Sequence, residues 1–445
     1  MHISFFFRTF VAKLEKCSYM AHLHLENIGP VSIVDIDLRR FNVFIGPQSS
    51  GKSTIAKMIS LCSWIEKRAL TTLSEDVFLD NQEFIDQVSE YHKMHGYFNK
   101  LSVLEYVSEY VHISYRERKL NIKLLDKLSY KRKKILCIPS DRNLVAMPEL
   151  ERMVVGTNTN LRSFTYDWFD ARKSYDKGHR LNILDLNMEY YYDKDEKVNK
   201  DKIIHTNGKT YDIALSDASS GLQSITPLTL LLNYFSSQYF SDYGKTTSYE
   251  KDEEKKELEG KIALLYPFER RNNGLPQDNS GHGFAEMVGK AAENFNELSV
   301  MVSRRSLFSR LTMPNVTDFI IEEPEQNLFP STQAQLISYL LNICNAQEKQ
   351  HSFTLTTHSP YILAQLNILL FAGMLEGQGK SEDVKTVVEP LSIIKPQELG
   401  VYAVQDSGTI KSILDEKTGL ISQNYLDGVS VELSEKFQYL YRLLF

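Results

Sequence analysis

Near its beginning the chain alternates apolar and polar residues with a period of two, which is the spacing of a half-buried β-strand. The alternation covers residues 22–28 and again 31–38, and Gly29-Pro30 separates the two stretches as a turn. The continuous apolar run Phe41–Ile45 follows and predicts a buried strand. Two antiparallel strands and one buried strand are therefore expected before residue 46.

Longer stretches place apolar residues three or four positions apart and predict helices. This spacing extends over residues 55–70, and we expect residues 71–128 to be mainly helical as well. Because the heptad-like part is too short for a long coiled coil, residues 71–130 are interpreted as a helical insertion on a core. Further strands are predicted at 135–138, 182–192, 203–213, 317–321 and 351–357, further helices at 225–239, 248–261 and 332–341, and short strands and a last helix after residue 393.

The residues after the buried strand have the spacing of a phosphate-binding P-loop (Walker A motif). In such a loop, backbone N–H groups and a helix start surround the phosphates. Lys52 is predicted to neutralise the β- and γ-phosphates, and the Ser53 hydroxyl to bind Mg²⁺. The predicted nucleotide-binding residues are Gly46, Pro47, Gln48, Ser49, Ser50, Gly51, Lys52, Ser53 and Thr54. Kinases, GTPases and mechanical ATPases share this loop, so it predicts nucleotide binding without fixing the chemistry.

Composition limits the class of protein. A chain of 445 residues with 42% hydrophobic and 24% charged residues is an ordinary globular balance. The net charge of −6 argues against a surface that is basic throughout. The four cysteines form no CxxC pair, so neither a zinc site nor a disulfide framework is indicated, and a cytoplasmic location is expected. The predicted divisions are an extension at 1–19, the first part of an ATPase core at 20–70, the insertion at 71–130 and the rest of the core at 131–445.

A second candidate phosphate site lies at the start of a predicted helix. Ser219-Ser220-Gly221 follows a turn and opens the helix that covers residues 225–239. One chain does not need two such sites for one nucleotide, unless the second reaches the nucleotide of another subunit. The alternative is a capped helix with no ligand.

Two adjacent carboxylates end the predicted strand at 317–321. Glu322 stands where a Walker B carboxylate would hold Mg²⁺, and Glu323 where a general base would polarise the attacking water. Residues 325–330 then resemble a D-loop, the segment that faces a second subunit in ATPases of this kind. A solvated acidic turn is the alternative interpretation.

A histidine ends the strand predicted at 351–357. His358 lies 35 residues after Glu323, which is room for a helix and a parallel neighbouring strand. It is therefore predicted to reach the same sheet edge and to contact the γ-phosphate as a catalytic switch residue.

Two basic features leave alternatives open. The run Lys131-Arg132-Lys133-Lys134 is interpreted as a solvated strand end or as a contact for a phosphate backbone. Arg142 follows the next strand in a polar loop, where it would serve either as a phosphate or inter-subunit arginine or as a partner of Asp141.

The four motifs together resemble the ABC/SMC-type AAA family ATPases related to RecF and to the overcoming-lysogenization-defect (OLD) proteins. The resemblance implies an α/β P-loop NTPase fold of ABC type, with a mixed β-sheet flanked by helices. It also implies head-to-tail dimers in which ATP and Mg²⁺ lie between Lys52 of one subunit and Ser220-Gly221 of the other. Two departures are that Glu322 replaces the usual aspartate and that Leu222-Gln223 replaces the acidic continuation of the signature.

The string Glu-Glu-Pro-Glu-Gln-Asn-Leu-Phe-Pro at 322–330 is similar to ATPase subunits of anti-phage systems such as PARIS and Septu. This similarity implies a sensor and scaffold for a separate effector, such as a nuclease, since no second acidic cluster of a TOPRIM nuclease follows His358. The alternative is a RecF-like repair ATPase that clamps DNA when ATP binds. Nucleic acid remains open as a partner, and no membrane is expected.

Overall fold

The computed structural model describes residues 20–147, 159–198, 200–206, 211–243, 258, 261–262, 302–346, 349–415, 417–422 and 425–442. The N-terminal extension predicted at 1–19 lies outside the described residues, as does most of the helix predicted at 248–261. The sequence also predicts a turn at Asn207-Gly208 and a loop rich in Gly, Asn, Asp and Pro at 270–283, and both lie outside the described residues.

Three sheets and nine α-helices with defined bounds are present in the described part of the chain, and residues 302–312 are helical as well. The strands are β1 Ala21–Ile28, β2 Val31–Leu38, β3 Phe41–Ile45, β4 Val103–Ser108, β5 Val111–Arg116, β6 Lys119–Leu124, β7 Lys133–Ile138, β8 Leu181–Asn182, β9 Met188–Tyr192, β10 Asp201–His205, β11 Asp212–Ala214, β12 Val316–Glu322, β13 Ser352–Thr357, β14 Leu399–Val404 and β15 Ile410–Ser412. The helices are α1 Lys52–Thr72, α2 Asn81–Tyr91, α3 Asn160–Ala171, α4 Ser220–Ser236, α5 Gln238–Asp242, α6 Pro330–Asn345, α7 Pro360–Gly377, α8 Ser381–Lys385 and α9 Tyr425–Arg442.

The central sheet has six strands in the order β15-β14-β3-β13-β12-β7. All neighbours pair in parallel except β15, which is antiparallel to β14. Ile45 at the end of β3 pairs with Thr357 at the end of β13, and Glu322 at the end of β12 pairs with Thr356. The three strands that carry the predicted motifs therefore end at one edge, which is where open α/β sheets bind ligands.

A second sheet is antiparallel, in the order β2-β1-β4-β5-β6. It corrects the prediction of a mainly helical segment at 71–130, because only the end of α1 and α2 are α-helical there and residues 103–124 form three strands. Leu101, Leu104 and Val107 are three residues apart, a spacing that suited a helix face, yet Leu101 is 72% exposed. The pairing of β4 with β1 stabilises the strand conformation, because a strand depends on hydrogen bonds to a partner that is distant in the sequence.

A third, small sheet has the order β11-β10-β9-β8 and is antiparallel. It confirms the strands predicted around 182–192 and 203–213. The sheet leads directly into α4, so it places the start of that helix.

Helices cover both faces of the central sheet. Helix α1 lies between the two larger sheets, where Ile55, Met58 and Leu61 are buried. Helices α4, α6 and α7 pack in the core on the other face. Helix α7 is long and apolar enough to cross a membrane by length and composition, and in the fold it buries Leu366 and Leu370 in that core. The central sheet is mixed, with five parallel strands and one antiparallel edge strand. Together with the added antiparallel sheet and the flanking helices, it forms the ABC-type ATPase fold, as predicted.

Candidate functional site

The P-loop connects β3 to α1 and has the backbone conformation that phosphate binding requires. Ser49 and Gly51 have positive φ angles of 61° and 108°, which turn successive N–H groups inward. A side chain at Gly46 would place its Cβ 2.2 Å from the Val404 carbonyl oxygen, so only glycine fits there. The Ser50 hydroxyl is buried without a hydrogen-bond partner. The loop is a cradle with an unused polar group, which suits an anionic ligand.

Lys52 points into this cradle. Its side-chain Nζ donates to the carbonyl oxygens of Gly46 at 2.9 Å and Pro47 at 2.6 Å. Burial lowers the pKa of Lys52, while the nearby carboxylates of Glu323 and Glu325 act in the opposite direction. The ammonium group is thus held at the loop by weak neutral acceptors that a phosphate would replace.

The Walker B turn, residues 322–324, follows β12 and places Glu323 near Lys52 of the P-loop. Burial raises the pKa of Glu322, and Lys57 opposes this effect. Glu323 has a positive φ of 45°, although it is not glycine and precedes Pro324. Its N–H donates to the Thr356 carbonyl oxygen at 2.9 Å. A strained backbone at a candidate general base is a feature that functional sites often carry.

His358 lies at the junction of these two loops. Its Nε2 is 3.8 Å from Oε1 of Glu323, and the nearby Gly46 backbone acts to raise the pKa of its ring. Burial lowers the pKa of His358, and the charge of Lys52 lowers it further. The structure therefore brings Lys52, Glu323 and His358 together, as the sequence predicted for a nucleotide site.

Glu325 has a role in this site that the sequence did not reveal. Its Oε1 accepts the His358 backbone N–H at 2.6 Å, and its Oε2 is buried without a partner. Burial raises the pKa of Glu325. The carboxylate fixes the switch loop to the Walker B turn, and its place two residues after Glu323 was the available signal.

The segment after Walker B is also tied to the switch. Gln333 in α6 donates its Nε2 to the Leu328 carbonyl oxygen at 2.8 Å, and its Oε1 accepts the Ser359 hydroxyl at 2.5 Å. One side chain thus links the predicted D-loop to the residue next to His358. A displacement of the D-loop would therefore be transmitted through Gln333 to Ser359, the residue after His358.

The predicted signature begins α4, and its serines are open to solvent. Ser219 and Ser220 are both exposed, and Ser219 Oγ caps the helix by accepting the Leu222 N–H at 3.4 Å. A Cβ on Gly221 would lie 3.0 Å from the Asn327 carbonyl oxygen. The signature therefore packs against the D-loop of its own chain, and the roles of Ser219, Ser220 and Gly221 toward a second subunit stay a prediction.

Both alternatives for Arg142 are wrong. Its side chain is fully buried and donates to backbone carbonyls, including Ser224 O at 3.1 Å and Glu323 O at 2.9 Å. It is therefore neither available to a phosphate nor paired with Asp141. A fully buried arginine cannot be recognised from one loop, because its acceptors come from segments that are distant in the sequence.

Three of the four residues in the basic run at 131–134 are engaged within the fold. Lys133 lies 3.4 Å from Glu66 and 3.7 Å from Asp318, and Lys134 lies 2.6 Å from Asp167. Arg132 donates to the Thr312 carbonyl oxygen at 3.2 Å, whereas Lys131 is exposed. Most of the run is therefore neither a solvated strand end nor available to a phosphate backbone.

The predicted magnesium ligands fit the ion's chemistry. Ser53 lies in the first turn of α1. Glu322 ends β12, which is separated from the P-loop strand β3 by β13 alone. Among the described residues, no group of three or more His, Cys, Asp or Glu side chains is arranged to hold a metal. Mg²⁺ at such sites uses one or two protein oxygens and the phosphates of the substrate, which is what Ser53 and Glu322 offer.

Comparison with known proteins gives distant structural matches. No family model matches the chain, and no curated protein matches it. An SMC head bound to the C-winged helix domain of ScpA has 10% sequence identity and a TM-score of 0.37, covering 89% of this chain and 97% of that one. A Pyrococcus furiosus Smc head with an extended coiled coil, bound to the C-terminal domain of ScpA, has 8% identity and a TM-score of 0.36, covering 94% and 99%.

RecF with ATP has 9% identity and a TM-score of 0.29, covering 88% of this chain and 99% of that one. Values this low do not bear on function. The ABC-type fold rests on the strand order and on the loops at the sheet edge.

Proposed function

We propose that this protein binds and hydrolyses ATP with Mg²⁺ as an ABC/SMC-like ATPase. The observation that carries the proposal is the convergence of Lys52, Glu323 and His358 at one sheet edge, over a cradle built for an anion. A Gly/Ser turn that binds no ligand would not be expected to lie beside a buried lysine, a glutamate with a strained backbone and a histidine that follow three different strands.

Each residue has a distinct task in the proposed reaction. Lys52 exchanges its carbonyl partners for phosphate oxygens, and the P-loop N–H groups bind the remaining oxygens. Ser53 and Glu322 would hold Mg²⁺, which would supply positive charge to the phosphates. Glu323 polarises the attacking water, and His358 donates a hydrogen bond toward the γ-phosphate.

The active form in this proposal is a head-to-tail dimer. The exposed Ser219 and Ser220 of one subunit complete the site around the nucleotide of the other. The D-loop beside them exposes 75% of Phe329, and exposed aromatic residues are enriched in protein interfaces. ATP therefore joins two subunits, and hydrolysis releases them.

The downstream role in this proposal is that of a sensor and scaffold for a separate effector, with a nuclease as the candidate, in anti-phage defence. Its support is the similarity of residues 322–330 to the ATPase subunits of such systems. Cys62, Cys137 and Cys344 are free thiols, which suits the cytoplasm. The DNA-clamp alternative has less support, because three of the four residues in the basic run at 131–134 are engaged within the fold.

ATP turnover and assembly test the first part of this function. Purified protein should release phosphate from ATP only with Mg²⁺, and Glu323→Gln should form dimers in ATP that sedimentation velocity detects. Absence of both turnover and nucleotide binding in folded protein would refute the ATPase proposal.

The second part is tested with tagged Glu323→Gln and Lys52→Ala proteins expressed in the native host. A protein with nuclease activity should co-purify with Glu323→Gln and be depleted from Lys52→Ala. Salt-sensitive binding of duplex DNA that requires ATP, with no such protein recovered, would instead favour the clamp.

A further inference from the structure

Arg142 uses its complete hydrogen-bonding capacity on the backbone. A guanidinium group has five N–H donors in a fixed, planar fork. In this structure all five directions are taken by backbone carbonyl oxygens, and the side chain is 0% exposed. The acceptors are Ser224 O at 3.1 Å from Nε, Pro139 O at 3.4 Å and Glu322 O at 3.0 Å from Nη1, and Glu323 O at 2.9 Å and Pro324 O at 3.3 Å from Nη2.

Such an arrangement is specific to arginine. A buried cation is costly unless it is fully hydrogen-bonded, and the carbonyl dipoles supply that compensation here. Lysine at this position would have three donors at one point and would leave several carbonyls without a partner. Burial lowers the pKa of Arg142 to about 10, so the group stays charged at neutral pH.

The three carbonyls of residues 322–324 belong to the Walker B turn. Glu323 adopts a left-handed conformation there, which is costly for a residue with a side chain and more so before proline. Arg142 holds this conformation from one side, and the Glu323 N–H bond to Thr356 holds it from the other. The carboxylate of Glu323 is aimed by this backbone.

The fourth contact, to Ser224, belongs to the signature helix α4, four residues after Ser220. The far end of α4 is also tied to the Walker B strand. Thr317 Oγ1 donates to Phe235 O at 2.6 Å, and His351 bridges Ser236 O at 3.0 Å to Thr317 N at 3.0 Å. The helix and the strand are therefore joined at both ends.

We propose that Arg142 is a positioning residue that locks the Walker B turn and the signature helix of one subunit into a single rigid unit. The inference rests on the proposed ATPase function with sites shared between subunits. Its consequence is specific: one fully buried side chain controls both the general base of its own site and the surface that completes the partner's site.

Arg142→Lys tests the proposal in two backgrounds. In the wild-type background, kcat should fall by about 10²-fold while KM for ATP changes little, because a displaced base loses rate without loss of the phosphate contacts. In the Glu323→Gln background, where turnover is blocked, sedimentation velocity in ATP should show dimerisation weakened about tenfold. Binding of a fluorescent ATP analogue to the monomer should be retained.

Arg40→Lys is the matched control. Arg40 also donates to backbone carbonyls, those of His351 and Cys344, but it lies at the opposite end of the sheet strands. Its substitution should leave kcat and dimerisation near the wild-type values, even if it lowers stability to a similar extent.

Several results would overturn the proposal. If Arg142→Lys reduces kcat but leaves dimerisation unchanged, Arg142 positions the Walker B turn alone and the proposed link to the signature helix is wrong. If kcat and dimerisation are both unchanged, Arg142 has no positioning role. If Arg142→Lys does not fold, Arg142→Met, which removes the buried charge, takes its place, and unfolding of both variants would leave Arg142 a role in stability alone. Failure of Glu323→Gln with intact Arg142 to dimerise in ATP would refute the proposed dimer instead.

Discussion

At the scale of single residues, the site is built from groups of opposite charge in a small, partly buried volume. Lys52 is buried near Glu323 and Glu325, and the Lys52 charge helps keep His358 neutral. A polyanion with a divalent cation would satisfy these groups together. The first predictions therefore concern the charges themselves.

Lys52→Ala is expected to weaken ATP binding greatly and to leave the fold intact, because Lys52 supplies the ammonium group inside the P-loop cradle. Titration with a fluorescent ATP analogue measures the affinity, and circular dichroism checks the fold. Lys123→Ala, at an exposed lysine on β6, is the control for loss of one positive charge. Wild-type affinity in folded Lys52→Ala would refute the assigned role.

Glu323→Gln is expected to reduce hydrolysis by about 10²-fold or more, since the amide keeps the shape of the side chain and removes the base. ATP binding should persist, and ATP-bound dimers should accumulate. Glu322→Gln should instead raise the Mg²⁺ concentration needed for half-maximal turnover. Normal hydrolysis by Glu323→Gln together with an inactive Glu322→Gln would mean that the two carboxylates have the opposite roles.

Some of these residues were accessible from the sequence and some were not. Lys52, Glu323 and His358 follow strands in a recognisable order, and parallel strands bring their ends to one edge. Arg142 and Glu325 act on backbone atoms of other segments. A sequence pattern contains no record of which distant carbonyl or N–H a side chain will meet.

At the scale of elements, β12 organises the site. It carries the Walker B turn at one end, and at the other it is joined to α4 through Thr317 and His351. The strand was predicted as an apolar stretch that ends in two adjacent carboxylates. Residues 103–124 were misassigned because the three-residue spacing of Leu101, Leu104 and Val107 was interpreted as a helix face, whereas residues 103–108 pair with β1 as a strand.

The join between α4 and β12 predicts a pH dependence of stability. Burial lowers the pKa of His351 from 6.5 to about 4. Above pH 6.5 the ring is neutral in both the folded and the unfolded chain. Between pH 6.5 and about pH 4, His351 takes up a proton in the unfolded chain but not in the folded one. The free energy of unfolding therefore decreases as the pH falls through this range.

Urea unfolding at pH 7.0 and pH 5.0 measures this effect. His351→Gln retains an acceptor for the Thr317 N–H and a donor for Ser236 O but does not titrate. The difference in the unfolding free energy between the two pH values should therefore be smaller in His351→Gln than in the wild type. An identical difference in both proteins would exclude His351 as the source.

At the scale of the whole molecule, one chain carries both groups of residues that the proposed shared site requires. The cradle, the carboxylates and His358 meet at the sheet edge, while Ser219 and Ser220 are exposed at the start of α4 beside the D-loop. The general architecture followed from the order of the motifs. The head-to-tail dimer is implied by the resemblance alone and stays a prediction, because an interface leaves little trace in the sequence of one subunit.

Mixing two inactive variants tests directly whether the sites are shared. Lys52→Ala damages the P-loop half, and Gly221→Arg damages the signature and D-loop half, since any side chain at 221 presses on Asn327 O. In a mixed dimer one composite site has both halves intact and the other has neither. Phosphate release should be negligible for each variant alone and should recover partly in the mixture, in proportion to the heterodimers that differential tags reveal. Mixtures that remain inactive despite demonstrable heterodimers would contradict a site formed between two subunits.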